Sequence, residues 1–542
     1  MNNLKIRIST VFTFLIAVSF AGNQKIEITI AVLKLNLNPA TSHLSGVIEY
    51  QFPSDSVILL TSDLKIESVI ADGRNTGFEK GNSAESAYST AYKLPFIPQN
   101  LIIQFSGVIS EKSFPKTINT LNRVNNQMLE LTDVIDWYPR FKNRNECTFS
   151  LSVEAPKEFG FVTNGVQTEI SENGDIKETR FESENSVSRI FLIGSAGLRN
   201  SVVAGNNFSV EIYHTKLPEE YVRKMINNLA STVEFYQNLY QSEGSNNIIK
   251  VIYSPRPAGG YARGSVIVVS EEFAFEQIEN KWGFSRDFQL NAHEIAHLWS
   301  KVNWQHDWIN EGLAEYSAFL ASEKYIGNEF AKLLIEEYTT AIENSATQLS
   351  IPETTGDSWE SHINRYYKPT VLLNSLRQKY GEEKMAGFIQ SLDAAFIQNH
   401  GGTTELFLEE LKKSLGTEAY DFFSEGLYRK NWNNQAEVSE VVYDADFQGT
   451  WIGSLTQFGT TSKFVLQLKK IDNKLVPSLD SPDQNVYDIP VSGLKISGDS
   501  IYCVVGVASA TYHGQLERKA KTITGTWAQR GTDYPVNLTK EE

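Results

Sequence analysis

Cysteine is nearly absent from the 542 residues: Cys147 and Cys503 are the only two, and they fall in stretches of different texture. A disulfide scaffold is thereby excluded, and two free thiols are the simpler expectation. Basic charge is also scarce, with 49 Lys and Arg against 65 Asp and Glu and a net charge of −16. This balance argues against nucleic acid or anionic lipid as a partner, because either would have to overcome repulsion and no polybasic run relieves it. Long apolar runs are missing too. The run from Val11 to Phe20 is too short to span a bilayer comfortably and no later stretch reaches that length, so stable membrane insertion of the mature chain is not expected. With Lys5 and Arg7 ahead of it and Ser19-Phe20-Ala21 closing it, the run has the form of a cleaved signal peptide over residues 1–21. That form predicts an exported protein, periplasmic or extracellular, and no cysteine follows the run to accept a lipid.

What is present is globular: 41 % hydrophobic and 21 % charged residues, which suits neither a disordered nor a membrane-embedded chain. The length exceeds one core and predicts three or four domains. Residues 23–205 are short alternating runs such as LKLNLN, GVIEYQF and LIIQFSGVI broken by turn residues, an all-β domain. Over 206–435, Pro218 opens a helical stretch, IIKVIY and SVIVVS are strands, and helices follow. A polar, acidic linker at 436–444 leads to 445–542, where FQGTWIGSL, KFVLQLKKI and ITGTWAQ predict a small β-barrel or sandwich. The fold class is multidomain α+β.

Histidine is scarce as well, with 8 in the chain, yet His293 and His297 stand four apart in NAHEIAH. On a helix they lie one turn apart on one face and present imidazole nitrogens to a single Zn²⁺. Glu294, directly after the first ligand, flanks the metal and suits a base that takes a proton from its water. A third ligand is still needed, and Glu311 in WINEG is the natural one. A metzincin is excluded, because Ser300 and Asn303 occupy the positions where that class needs Gly and His.

The pair HEIAH and WINEG resembles the zinc aminopeptidases related to aminopeptidase N. That resemblance implies a thermolysin-like domain over 206–435, one zinc per chain, peptide substrates, and Glu311 as ligand. Thirteen residues, Leu298 to Asn310, separate His297 from Glu311, where the family pattern has about eighteen. Glu315, one turn beyond, is the competing ligand, or else the acceptor that orients a ligand histidine. The segment ELTDVIDWYPRF resembles the one with which the family closes its cleft from the β domain, and implies that Glu130 binds the substrate amine. SWESHINRYYKPTV resembles the family YEKG segment, with Lys368 matching the lysine, Pro369 the glycine and Tyr366 the oxyanion donor. Tyr367 is its competitor.

GYARG, starting at Gly260, is the counterpart of the family GxMEN segment, whose glutamate captures the free α-amine. Arg263 stands in that glutamate's place. A cation there repels an ammonium and favours a carboxylate or carbonyl oxygen, unless Arg263 pairs with a neighbouring acid and points away. W-x-G, DSPDQ, IPV and GTW resemble a lipocalin-like accessory module at the C-terminus. The expectation is an exported zinc metallopeptidase, aminopeptidase N-like, with altered recognition of the amino terminus. Two alternatives are a zinc peptidase that needs no free amino terminus and a catalytically silent peptide-binding protein, and the intact Glu294 argues against the second. Oligomeric state is not legible.

Overall fold

Alternation of side chains fixes the first layer. Along Thr29–Asn38, Ala31, Leu33, Leu35 and Leu37 are buried while Ile30, Lys34, Asn36 and Asn38 are exposed, the period of a half-buried strand. In this computed structural model the strand lies inside an eight-stranded sheet, antiparallel to His43–Gln51 and parallel to Cys147–Pro156. The structure describes residues 29–81, 89–111, 122–132, 135–143, 146–242, 247–256, 260–299, 301–302, 306–345, 348–356, 358–430, 432, 444–457, 460–471, 474–484, 486–491, 493–505, 510–529 and 532–541. The signal segment 1–21 and nearly all of the expected linker lie outside these residues.

Two four-stranded sheets complete the β-rich N-terminal domain around a core that includes Ile48, Ile103, Phe105, Trp137 and Leu151. One of their strands, Met128–Leu131, is buried at all four residues and pairs with Leu192–Ala196 and Arg123–Val124.

The second domain opens on a five-stranded sheet ordered Arg199–Ala204, Ser209–His214, Ile248–Ser254, Val266–Ser270, Gly260–Arg263. Gly260–Arg263 is therefore an edge strand. Helix Glu219–Tyr240 buries Val222, Met225, Ile226, Leu229, Val233 and Tyr236, the three- and four-residue spacing of an amphipathic helix. The helices that follow share one core with it. Gly283–Ala296 is the HEIAH helix and Asp307–Tyr325 the NEG helix, and Trp359–His362 continues through a π-turn over Ile363–Tyr367 into Lys368–Tyr380.

The third domain is a nearly closed antiparallel β-barrel within residues 449–540, with Trp451, Tyr512 and Trp527 in its core. Cys147 and Cys503 are buried free thiols in separate cores. Among the described residues no helix is long and apolar enough to cross a membrane.

Candidate metal centre

The HEIAH helix is fixed to the sheet before it presents anything. Asp287, 1 % exposed, accepts hydrogen bonds from the Tyr221 and Tyr253 hydroxyls, each at 2.6 Å, and from Asn291 at 3.3 Å. Burial pushes its carboxyl up to about 6 against these donors. Phe288, Ala292 and Ile295 fill the core side. His297 keeps helical angles at the C-cap, φ −60° and ψ −17°, so the one-turn offset from His293 survives the helix end. The two imidazoles stand 4.9 Å apart and nearly perpendicular, at 86°.

Glu311 enters from the NEG helix. Its Oε2 lies 3.3 Å from His293 Nε2 and 3.5 Å from His297 Nε2. Four-coordinate zinc with ligand bonds of about 2.0–2.1 Å places neighbouring donor atoms about 3.3 Å apart at the tetrahedral angle. The three groups thus offer a His₂Glu donor set at zinc spacing, and they form the potential metal cluster found among the described residues.

The remaining ring nitrogens are spoken for. His293 Nδ1 lies 2.8 Å from Glu315 Oε2, and His297 Nδ1 lies 3.1 Å from Asn310 Oδ1. Both oxygens only accept, so each Nδ1 carries the proton and each Nε2 lone pair faces the metal position. Glu315 is in turn held by Gln289 at 2.7 Å and by the Tyr338 hydroxyl. Of the two carboxylates weighed from sequence, Glu311 faces both Nε2 atoms and Glu315 stands behind His293. Burial alone would raise the Glu311 carboxyl, but when the imidazoles also hold a proton at Nε2, in place of a metal, their hydrogen bonds outweigh it and hold the carboxyl well below the usual range. Burial would likewise lower His293, and the hydrogen bonds and charges of Glu311 and Glu315 together hold it well above its ordinary value.

Glu294 is buried beside the pair, and its charge reaches both His297 and Tyr366. The π-turn that carries Tyr366 has a local cause. Pro369 has no N–H to give the Arg365 carbonyl and its ring crowds that turn, so the Lys368 N–H bonds five residues back to Ile363 instead. The wider turn sends Tyr366 and Tyr367 to different neighbours. Tyr366 stacks on His293 at 5.4 Å and 13° with its phenol within reach of the Glu311 charge, whereas Tyr367 stacks on Tyr338 at 4.2 Å and 14°. Burial first, then the Glu311 charge, raises the Tyr366 phenol and keeps it a donor. The NEG glycine makes this approach close: a Cβ on Gly312 would sit 2.6 Å from Pro369 Cβ and 3.2 Å from the Arg365 carbonyl. Arg365 ties the same turn to Asp307 at the start of the NEG helix.

Glu130, Arg263 and Gly260, the expected substrate-binding residues, meet around Tyr261. Glu130 is wholly buried, its Oε1 accepts the Tyr261 hydroxyl at 2.6 Å, and Arg256 Nη1 lies 3.7 Å away. Burial raises its carboxyl against the pull of Arg256 and Tyr261. Tyr261 and Arg256 both face Oε1, while the buried Oε2 of Glu130 has no hydrogen-bond partner. Arg263 donates to its neighbour's carbonyl, Ala262 O, at 2.9 Å and stacks its guanidinium 5.2 Å from the Tyr261 ring, with Arg256 5.1 Å from the same ring. Gly260 begins this strand opposite Val269. The sequence reading did not reach Asn310, Gln289, Tyr338, Tyr261, Arg256 or His362. Only Asn310 had a signal, as the polar residue beside Glu311 in WINEG.

Comparison with known proteins places these residues in context. Residues 224–425 match the Peptidase family M1 domain. The chain is 23 % identical over 344 residues to Aminopeptidase M1-A of Oryza sativa subsp. japonica, covering 58 % of this chain and 39 % of that protein. It is 22 % identical over 272 residues to Aminopeptidase M1 of Arabidopsis thaliana, covering 47 % and 30 %. It therefore spans well under half the length of these relatives. In fold it is similar to the M1 zinc metallopeptidase of Deinococcus radiodurans, with a TM-score of 0.55, 16 % identity, and coverage of 74 % of this chain and 94 % of that one. An aminopeptidase N family protein of Idiomarina loihiensis gives a TM-score of 0.60 at 12 % identity, covering 94 % and 96 %.

Proposed function

From an M1 peptidase domain over residues 224–425, we infer that the chain is a zinc-dependent peptidase of the aminopeptidase N type. The observation that carries this is the convergence of His293 Nε2, His297 Nε2 and Glu311 Oε2 at zinc spacing, with Glu294 next to the first ligand. When bound there, Zn²⁺ supplies Lewis-acid polarisation of the scissile carbonyl and a more acidic water. The chain's own residues do the rest. Glu315 and Asn310 fix the tautomers and orientation of the histidines. Glu294 accepts a proton from the attacking water and returns it to the leaving nitrogen. Tyr366 donates to the oxyanion of the tetrahedral intermediate.

Recognition of the amino terminus is altered in this reading. The family's two carboxylates would meet an ammonium; here one position is Arg263, and the other, Glu130, has one oxygen facing Tyr261 and Arg256 and one, Oε2, without a partner, so the amine trap is halved. A guanidinium favours an acyl oxygen or carboxylate near the scissile bond over an ammonium. Export, from the signal-like segment at 1–21, and an accessory role for the lipocalin-like C-terminal barrel belong to the same proposal.

The test is a peptide-library digest read by mass spectrometry, using the zinc-loaded full chain with and without chelator. Chelator-sensitive cleavage is expected, extending to N-acylated peptides. A library left intact by a protein that holds its zinc would refute the enzymatic reading.

A further inference from the structure

Four rings stand in series at the metal centre. His293 stacks on Tyr366 at 5.4 Å and 13°, Tyr366 on His362 at 4.1 Å and 24°, and His362 on Trp359 at 5.4 Å and 14°. His362 also meets Tyr367 edge-on, at 4.9 Å and 84°. It is half-buried, one residue ahead of the π-turn, and has no part in holding metal or base. We propose that His362 is a positioning residue: its imidazole holds the Tyr366 ring in the stack that ends on ligand His293, and so aims the phenol at the site of Glu311.

The argument starts from the freedom of a tyrosine. Two side-chain torsions carry its hydroxyl through several ångströms, and at the far end the Glu311 charge acts on it. When substrate binds, that hydroxyl has to serve the oxyanion, and the pull of Glu311 no longer orients it at the moment orientation matters most. Ring stacking is independent of the hydroxyl and persists through the exchange. A donor pre-set this way costs no reorganisation during the reaction, and misplacing a reacting group by about 1 Å costs on the order of 100-fold in rate. Trp359 and Tyr367 fix the imidazole from its own far side and edge, so the clamp is supported by the helix start and the turn together.

The catalytic consequence rests on the peptidase reading above; the clamp itself does not. For turnover, His362→Ala in the zinc-loaded full chain should lower kcat roughly 10- to 100-fold with KM changed little. His362→Phe, which keeps an aromatic face, should recover most of the loss. In a Tyr366→Phe background, His362→Ala should cost almost nothing further, because the group it aims is gone. Equal cost in both backgrounds, or no recovery by Phe, would overturn the proposal. The activity-independent arm is a crystal structure of zinc-loaded His362→Ala, with metal content measured alongside. Zinc should be retained and the Tyr366 ring should leave its stacked orientation on His293. A ring that stays in place overturns the clamp whether or not any peptide is cleaved, whereas a displaced ring in the variant together with a zinc-loaded wild type that cleaves nothing upholds the clamp and rejects the peptidase reading.

Discussion

Replacing Gly312 with Ala adds one methyl group between the NEG helix and the turn that carries Tyr366. The new Cβ would lie 2.6 Å from Pro369 Cβ and 3.2 Å from the Arg365 carbonyl. Carbon atoms rest about 3.5–4.0 Å apart, so the two elements must separate by about 1 Å. Neither neighbour is the tip of a flexible side chain; one is a ring closed on the backbone and the other is backbone. Overpacking of this kind costs about 1–3 kcal/mol. Alanine in a helix interior returns about 0.5–1 kcal/mol over glycine. The packing loss equals or exceeds that return, and the expected net destabilisation is about 0–2.5 kcal/mol. The rate responds more strongly, because Gly312 adjoins Glu311 and the crowded Arg365 carbonyl adjoins Tyr366, so a shift of about 1 Å reaches ligand and donor: kcat should drop on the order of 100-fold. Melting curves, zinc content and steady-state kinetics on one preparation distinguish the two effects. A Gly312→Ala protein with wild-type kcat and unchanged stability would refute the claim that this glycine sets the spacing of ligand and donor.

Four further outcomes are expected. Elemental analysis should find one zinc per chain, lost in His293→Ala and His297→Ala but kept in Glu294→Gln, which should not turn over. Glu311→Gln should weaken zinc affinity severely, whereas Glu315→Gln should cost about 10- to 100-fold; the reverse order in metal-competition titrations would interchange their roles. Arg263→Glu should shift the ratio of free-amine to N-acylated peptide cleavage toward free amines, and an unchanged ratio would show that Arg263 does not govern recognition. Burial lowers the His362 imidazole from 6.5 to about 4, with the Glu315 charge opposing. The unfolded chain therefore binds this proton first on acidification, and the stability due to a neutral His362 is full above about 6.5 and falls as pH drops toward 4. His362→Phe should show a shallower loss of thermal stability over that window, and parallel curves for the two proteins would contradict this.

Much of the centre was legible because it is local. His293, Glu294 and His297 share one turn, and Glu311 and Glu315 share the next helix, so spacing alone places them on two faces that converge. The strands of Thr29–Asn38, His43–Gln51 and Asn100–Val108 were legible by alternation. Between Glu311 and Glu315 the sequence left a choice, since both lie on one helix face; the docking angle of two helices decides which reaches Nε2. Glu130 shows where local reading fails. Its partners Tyr261 and Arg256 lie more than a hundred residues away on the edge strand and the segment before it, and no periodicity reports their meeting. The ring stack was hidden for another reason: Trp359, His362 and Tyr366 follow ordinary three- and four-residue spacing, but the ring that gives the stack its meaning, His293, lies on another helix.

The two thiols have a use beyond excluding a disulfide. Burial, aided by the Glu146 charge, pushes Cys147 up to about 11, and burial pushes Cys503 up to about 12. Each is silent toward thiol reagents while its surroundings stay closed, since the thiolate is the reactive form. Cys147 belongs to the N-terminal sheet core and Cys503 to the barrel core, with none in the metal-binding domain. The chain thus carries its own pair of reporters: pulsed alkylation followed by peptide mapping reads the opening of the first and last domains separately, while the domain that holds the metal contributes no background.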